Sequence, residues 1–178
     1  MDFRRYNQND TAAIVSLFTS VFTKSAGESE GQVIGQLAKN LLAQTAIADL
    51  ACFVAIEDSL IAGAIIFSRV TFEQSIEAFI LGPVAVQSDR QGQGIGQALI
   101  NYGLNELKQQ GVNCALTYGD PSFYQKVGFH AISPEQIRAP FTLSQPEGWL
   151  GQSLTDNAIS VLAGPCTCVE ALNHPQYW

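Results

Sequence analysis

Val84-Ala-Val-Gln-Ser-Asp-Arg-Gln-Gly-Gln-Gly-Ile-Gly-Gln-Ala-Leu-Ile100 is the most informative stretch of this 178-residue chain. An apolar run typical of a β-strand ends in a polar turn, and helix-like apolar spacing begins directly after it. Gly92, Gly94 and Gly96 occupy alternate positions of the turn. The first N–H groups of a helix lack partners within the helix, and the helix dipole favours negative charge there. The stretch therefore predicts a backbone cradle for a phosphate-bearing ligand.

The glycine spacing excludes two well-known phosphate-binding loops. A dinucleotide fingerprint needs G-x-G-x-x-G, but Gln97 or Leu99 stands at the third glycine position when the count starts from Gly92 or Gly94. The nucleoside-triphosphate loop needs a lysine after its last glycine, and no lysine follows the turn until Lys108. A plain flexible connector does not need three glycines, because each costs conformational entropy on folding.

Length and composition favour one globular domain over residues 1–178. Hydrophobic residues make up 47% of the chain and charged residues 14%, which excludes a disordered chain and a charged coiled coil. No apolar run approaches the roughly 18 residues of a membrane span, and the N-terminus has no apolar signal core, so we expect a cytoplasmic protein. With a net charge of −7 and nine Lys plus Arg, the chain has little to offer a nucleic-acid backbone.

The four cysteines predict neither a disulfide framework nor a metal site. Cys52 and Cys114 lie in strand-like apolar runs and are expected to be buried thiols. Cys166 and Cys168 form a C-x-C sequence without a second pair of ligands, so both are expected to be ordinary strand residues. The two histidines stand alone in the sequence, and no Ser–His–carboxylate order supports a hydrolase.

Hydrophobic periodicity predicts the order αα-β-β-β-α-β-α followed by a β-rich tail. The predicted elements are a strand at 2–6, helices at 10–22 and 31–44 joined by a polar loop at 23–30, strands at 50–57, 60–72 and 76–86, a helix at 94–110, a strand at 112–118, a short helix at 121–127 and strand pieces around 161–169. Three successive strands require an antiparallel half, and the strand–helix–strand crossover requires a parallel pair. The expected fold class is α/β (α+β), with a mixed, strongly twisted central sheet and helices on both faces.

The glycine-rich turn matches another pattern, Q/R-x-x-G-x-G/A, as Gln91-Gly92-Gln93-Gly94-Ile95-Gly96. It resembles the acetyl-CoA pyrophosphate loop of the GNAT N-acetyltransferase family, and the predicted element order is similar to the GNAT fold. The resemblance covers residues 1–130 well and residues 131–178 loosely. The tail, with Gly148-Trp149-Leu150 and its His174–Trp178 ending, is similar to a bacterial subgroup of predicted acetyltransferases, the YhbS type.

This resemblance implies acetyl-CoA as co-substrate and no metal. Backbone N–H groups of the turn would surround the pyrophosphate, and backbone groups of the preceding strand would hydrogen-bond the pantetheine arm. The implied cofactor-binding residues are Val84, Val86, Gln91, Gly92, Gln93, Gly94, Ile95, Gly96 and Gln97. Gly82-Pro83 interrupts this strand, because proline cannot donate to a sheet ladder, and would help to splay it from its parallel neighbour.

A second motif, Asp120-Pro-Ser-Phe-Tyr-Gln-Lys-Val-Gly-Phe129, resembles the family's Tyr-x-x-x-Gly-Phe segment. The resemblance makes Tyr124 the general acid toward the departing thiolate. A phenol with a pKa of about 10 is protonated at neutral pH, which is the state that donates. The alternative is that Tyr124 is a core residue with its hydroxyl at the rim. The base stays open between Glu77 and water, because Ile80 stands where some family members carry a glutamate.

The resemblance implies an enzyme that transfers an acetyl group from acetyl-CoA to a primary amine by direct attack on the thioester. The implied acceptor is a small amine, an amino-acid derivative, or a protein- or tRNA-linked amine. The net charge of −7 argues against the protein- or tRNA-linked amine. No nucleic-acid or membrane partner is expected. Residues 131–178 would contribute to the acceptor site or to an interface, and Tyr177 and Trp178 would pack on their own chain or on a second subunit, as in a homodimer.

Two other classes stay open at this point. One is a non-catalytic acyl-CoA sensor or partner-binding module that keeps the same fold and cofactor. The other is a nucleotide-binding protein, which would respond to ATP or NAD and not to CoA.

Overall fold

The computed structural model describes residues 1–178 and contains four α-helices and ten β-strands. The helices are α1 (Thr11–Ala26), α2 (Glu28–Gln44), α3 (Ile95–Gln109) and α4 (Pro121–Tyr124). The strands are β1 (Asp2–Arg5), β2 (Leu50–Glu57), β3 (Leu60–Thr71), β4 (Ala78–Val86), β5 (Cys114–Tyr118), β6 (His130–Ala131), β7 (Ile137–Arg138), β8 (Trp149–Ser153), β9 (Leu162–Pro165) and β10 (Thr167–Cys168). No helix combines the length and the hydropathy that a membrane span requires.

The main sheet has eight strands and mixes parallel and antiparallel pairs. Its order is β1-β2-β3-β4-β5-β8-β6, and β10 pairs with the end of β3. β1 runs antiparallel to β2 and β5 runs antiparallel to β8, whereas β4 and β5 are parallel. A second, two-stranded sheet pairs β7 with β9. The predicted mixed α/β fold class is confirmed.

The chain forms two compact units, and the division falls inside β3, β4 and α3. The first unit consists of Met1–Phe67 and Pro83–Gly103, and the second of Ser68–Gly82 and Leu104–Trp178. A single domain over residues 1–178 stays a prediction.

In the first unit, β2 is covered on both faces. Six consecutive residues, Leu50 to Ala55, are buried, and successive side chains of a strand point to opposite faces. Helix α3 covers the face that carries Phe53 and Phe67. A Cβ at Gly103 would lie 2.7 Å from Phe67 Cε2 and 3.1 Å from Phe53 Cδ2, so glycine lets α3 approach the sheet closely.

The predicted polar loop over 23–30 is wrong. Helix α1 continues to Ala26, α2 begins at Glu28, and Gly27 alone joins them with φ +98°. Polar Thr23 and Ser25 have weak helix propensity, and the packing of α1 on α2 overrides it. A Cβ at Gly31 would overlap Thr23 Oγ1, so this glycine brings α2 directly against the last turns of α1.

The predicted hairpin between β2 and β3 is confirmed. Asp58 and Ser59 connect the strands with φ +49° and +65°, the positive values of a type I′ turn. The strand predicted to begin at residue 76 begins at Ala78, and the helix predicted over 121–127 is α4 followed by a 3₁₀ turn, Gln125–Val127.

In the second unit, the C-terminus packs on its own chain. Trp178 is 5% exposed and stacks on Tyr118 with ring centroids 6.3 Å apart. Its indole Nε1–H donates to Leu172 O at 3.2 Å. Trp149 packs edge-on against Trp178 at 6.0 Å. Of the two predicted alternatives, Trp178 therefore packs on its own chain.

Candidate active site

The glycine-rich turn leads directly into α3. Gly92 and Gly94 have φ +77° and +80°, a region that residues with a Cβ rarely adopt. A Cβ built on either residue would have no atom within 4 Å, so the backbone itself forms the surface of this turn. Gly96 lies in the first turn of α3.

The backbone N–H groups of residues 91–97 make no well-formed hydrogen bond to a backbone carbonyl. The first hydrogen bond at this end of α3 runs from Ala98 N to Gly94 O at 3.0 Å. The Gln91 side chain donates to Val86 O at 3.0 Å, which ties the loop to β4. Unpaired N–H groups at the start of a long helix are the donor set that suits a pyrophosphate, so these residues fit that group.

The nearest cation in sequence is already engaged. Arg90 Nη1 lies 2.8 Å from Glu57 Oε2 at the end of β2. In the loop itself, the helix dipole and the backbone amides are therefore the groups that favour an anion.

The pairing of strand β4 with β5 ends just before Gly82-Pro83. Its parallel ladder with β5 covers only Ala78–Leu81, and Leu81 opposes Thr117 at the last position. Val84 and Val86 lie beyond this ladder and are partly exposed, whereas Ala85 between them is buried. The predicted interruption by proline thus coincides with the end of the parallel pairing.

Tyr124 closes α4 within the second unit. Asp120 caps this helix by accepting a hydrogen bond from Ser122 N at 2.8 Å, and Gly128 ends the following turn with φ +92°. The Tyr124 ring packs edge-on against Phe123 and Phe129, with centroids 5.1 and 5.8 Å away. Burial raises the pKa of the Tyr124 phenol, which keeps it protonated at neutral pH.

Residues 48–131 match the family model of the acetyltransferase (GNAT) domain. The chain carries a GNAT acetyltransferase domain. The match includes the loop over 91–97 and the segment around Tyr124. The predicted family resemblance is confirmed.

Several proteins are similar to most of this chain. The uncharacterized N-acetyltransferase YjhQ of Escherichia coli (strain K12) is 26% identical over 174 residues, which are 94% of this chain and 92% of YjhQ. The crystal structure of the Escherichia coli GNAT protein YhbS with CoA covers 97% of this chain and 92% of its own, at 23% identity and a TM-score of 0.80. A GNAT acetyltransferase from Brucella melitensis with acetyl-CoA covers 96% and 97% at 26% identity and a TM-score of 0.74. These likenesses confirm the GNAT fold.

Two residues of the GNAT domain, Thr117 and Gly119, were not predicted from the sequence to belong to the site. Thr117 is fully buried, and its Oγ1 donates to Leu81 O at 3.0 Å. Gly119 leaves the space that the Tyr124 ring occupies, since a Cβ there would lie 2.7 Å from ring atom Cε2. The available signal was a threonine and a glycine at the end of an otherwise apolar strand.

Glu77, which the sequence offers as a base, is ion-paired. Its Oε2 contacts Arg69 Nη1, and the Arg69 guanidinium lies 4.9 Å from the centre of the Phe79 ring. The Glu77 backbone N–H donates to Asn113 Oδ1 at 2.9 Å. The carboxylate is thus tied to neighbouring strands through a cation.

The C-x-C cysteines carry protonated thiols. Burial raises the pKa of Cys166 to about 12 and that of Cys168 to about 11. A thiol is a nucleophile or a metal ligand only as the thiolate. No group of three or more His, Cys, Asp or Glu side chains comes together in a way that would hold a metal ion.

A cleft of about 420 Å³ lies in the first unit, between α1 and the ends of β3 and β4. Its lining includes apolar Leu17 and Ile61 and polar Ser20, Gln87 and Asp89. The Ser20 hydroxyl and the Gln87 amide nitrogen donate to backbone carbonyls at 3.0 and 2.8 Å, which leaves oxygen acceptors to the cleft. Asp89, which is exposed, is the only ionisable side chain in this lining.

Proposed function

We propose that the protein is an acetyl-CoA-dependent N-acetyltransferase that acts on a primary amine of a small-molecule or peptide acceptor. The observation that carries this proposal is the set of unpaired backbone N–H groups over residues 91–97, at the N-terminus of α3. The GNAT domain match supports acyl transfer. YhbS and the Brucella melitensis protein, which share the fold, are complexed with CoA and acetyl-CoA respectively.

The loop would bind the pyrophosphate of acetyl-CoA through backbone N–H groups alone. The positive φ of Gly92 and Gly94 and the absence of a Cβ support this role, because no side chain blocks the approach of a ligand to the backbone there. The proposed cofactor-binding set is that predicted from the sequence: Val84, Val86, Gln91, Gly92, Gln93, Gly94, Ile95, Gly96 and Gln97. Val84 and Val86 would bond the pantetheine arm through backbone groups.

In the proposed reaction, the neutral amine attacks the thioester carbonyl carbon and the C–S bond breaks. Tyr124 donates its phenolic proton to the leaving sulfur, and its raised pKa supports this role by keeping the proton in place at neutral pH. A backbone N–H near Val84–Val86 would polarise the carbonyl. Water takes the proton of the amine, because Arg69 holds the Glu77 carboxylate.

The acceptor is proposed to be an amine because the chain matches the GNAT domain and is similar to N-acetyltransferases, and the lining of the cleft in the first unit is compatible with an amine. Hydroxyl and amide oxygens of this lining accept hydrogen bonds, which an amine donates. A contribution of residues 131–178 to the acceptor site or to an interface is part of the proposal. A cytoplasmic location and a homodimer stay predictions from the sequence.

Thiol release from acetyl-CoA, measured against a panel of primary amines, tests this function. We expect amine-dependent release, and a fall in kcat of roughly 10²–10⁴-fold in Tyr124→Phe with the Kd for CoA unchanged. CoA binding without turnover on any amine would contradict the enzyme and favour an acyl-CoA sensor. Turnover unchanged by Tyr124→Phe would remove this residue as the acid.

A further inference from the structure

We propose that Gln87 is a positioning residue for the loop over residues 91–97: it ties the chain that leads into this loop to strand β3, and so fixes the backbone that the loop presents to CoA. The proposal rests on the proposed function, because it takes CoA as the ligand of the loop. All residues that carry it lie in the first unit.

Gln87 is hydrogen-bonded to β3 through both its backbone and its side chain. Its backbone N–H donates to Ala62 O and its side-chain Nε2 donates to Ile61 O, both at 2.8 Å. Two neighbouring carbonyl groups of β3 thus hold the residue that directly follows β4. The side-chain bond is partly buried, so removal of the amide would leave the Ile61 carbonyl with restricted access to another donor.

The first turn of the loop is closed on Gln87. The Arg90 N–H donates to Gln87 O at 2.9 Å, which is the hydrogen bond of a four-residue β-turn. The next residue, Gln91, donates through Nε2 to Val86 O at 3.0 Å. Residues 87–91 are therefore closed on their own backbone, and Gln87 joins this closed segment to β3.

An ion pair ties the same segment to the end of β2, but it is the weaker of the two side-chain ties. Arg90 Nη1 lies 2.8 Å from Glu57 Oε2, and both side chains are partly exposed. Ion pairs in contact with water contribute little, because solvent screens the charges and two long side chains have to be ordered. The neutral Gln87 amide is therefore the side chain whose loss should matter most.

The glycines that follow have no side chains to hold them. A Cβ built on Gly92 or Gly94 would have no atom within 4 Å, and the Gln93 side chain is exposed. Glycine loses more conformational freedom on folding than any other residue. A loop that is already held in its bound conformation binds its ligand more tightly, because less order has to be gained on binding. The fixed segment that ends at Gln91 therefore contributes to CoA affinity without touching CoA through Gln87.

Gln87→Met tests this role, because methionine keeps the unbranched shape and removes the amide donor, while the backbone bond to Ala62 O remains. Gln136→Met is a matched control: Gln136 Nε2 donates to Ile159 O at 3.0 Å, also in a partly buried position, in the second unit. CoA is titrated by calorimetry without an acceptor amine, so a contribution of residues 131–178 to the acceptor site does not enter the comparison.

We expect the Kd for CoA to rise about threefold to tenfold in Gln87→Met, as for the loss of one hydrogen bond, and to stay within about twofold in Gln136→Met. The KM for acetyl-CoA should rise in parallel, with kcat at saturating acetyl-CoA within about twofold of the wild type. A merely structural role would lower Tm in both variants and leave the Kd for CoA unchanged in both.

Hydrogen exchange of the Arg90 amide provides a readout that does not involve CoA. This N–H is protected by its bond to Gln87 O, so it should exchange faster in Gln87→Met and at the wild-type rate in Gln136→Met. Gln87→Ala replaces Gln87→Met in all measurements if the methionine variant does not fold.

Three results would overturn the role of Gln87: an unchanged Kd for CoA in Gln87→Met, an equal rise in Gln136→Met, or an unchanged exchange rate of the Arg90 amide. The wild type separates this failure from that of the proposed function. If the wild type does not bind CoA, the proposed function fails. If the wild type binds CoA and Gln87→Met binds it equally well, only the role of Gln87 fails.

Discussion

A Cβ on Gly119 would lie 2.7 Å from Cε2 of the Tyr124 ring, so the ring takes its place only because residue 119 has no side chain. Gly119 directly follows β5, and its N–H donates to Gly148 O at 3.0 Å. A Cβ on Gly148 would in turn lie 2.9 Å from Gly119 O. The backbone around the ring is thus closely packed, and the position of the phenol depends on it.

Gly119→Ala should displace the Tyr124 ring and lower kcat. The φ of Gly119 lies outside the left-handed region, so the contact with the ring is the main source of strain. Misplacement of a reacting group by about 1 Å costs roughly 100-fold in rate. Steady-state kinetics and CoA titration should show a kcat reduced by at least about tenfold with little change in the Kd for CoA. A variant with full kcat would show that the ring position is not critical.

Gly94→Ala should weaken CoA binding more than its effect on stability explains. Its φ of +80° costs a residue with a Cβ about 1 kcal/mol, and the new methyl group would stand on the backbone surface proposed to bind the pyrophosphate. Gly111→Ala is a matched control, because Gly111 has φ +82° and equally open surroundings but ends α3 at the opposite terminus. Urea unfolding should show similar losses in the free energy of unfolding for the two variants. Calorimetry should show that the affinity for CoA falls about tenfold or more in Gly94→Ala alone. Equal CoA affinity in both variants would contradict the loop assignment.

The Arg4–Asp10 pair should make stability fall at acid pH. Arg4 donates to both Asp10 oxygens, at 2.7 and 2.9 Å, and these hydrogen bonds hold the pKa of Asp10 below its usual range. Because its pKa is lower in the folded than in the unfolded protein, the Asp10 carboxylate stabilises the folded state at pH values above the unfolded pKa of about 3.9. This stabilisation is lost as the pH falls through the folded-state pKa. Asp10→Asn should therefore cost about 1 kcal/mol at neutral pH, since Arg4 is partly exposed, and less near pH 2.

Urea unfolding at the two pH values checks this dependence. Asp156→Asn, in an exposed loop, serves as the control and should match the wild type at both. A cost of Asp10→Asn that is the same at both pH values would show that the carboxylate charge is not responsible.

Gly35 should be required for the contact between α1 and α2. A Cβ there would overlap Thr19 Oγ1 and lie 3.2 Å from Thr19 Cβ. Gly35→Ala should destabilise by about 1–3 kcal/mol, as overpacking does, despite the better helix propensity of alanine. Thr19→Ala removes the overlapping oxygen, so the double variant should recover part of the loss in a double-mutant cycle. Losses of stability that simply add in the double variant would mean that residues 19 and 35 are not in contact.

The sequence allowed the loop and α3 to be predicted because both depend on local chemistry. Glycine spacing at 92, 94 and 96 and the apolar period after it need no distant partner. The end of α1 and the start of α2 could not be predicted, because they depend on the close packing of Thr23 against Gly31 of the other helix. Thr117 was missed for the same reason: its hydrogen-bond partner, the carbonyl oxygen of Leu81, lies beside it only in the folded sheet.

A thermal-shift comparison of acetyl-CoA, CoA, ATP and NAD at equal concentrations tests whether the loop over residues 91–97 binds CoA. A ligand at 100 times its Kd stabilises by about 2.7 kcal/mol, which raises Tm by a few degrees for a protein of this size. The unpaired N–H groups of residues 91–97 predict a rise in Tm with acetyl-CoA and CoA alone. A rise only with ATP or NAD, or none with either CoA species, would contradict the assignment of the loop and with it the proposed reaction.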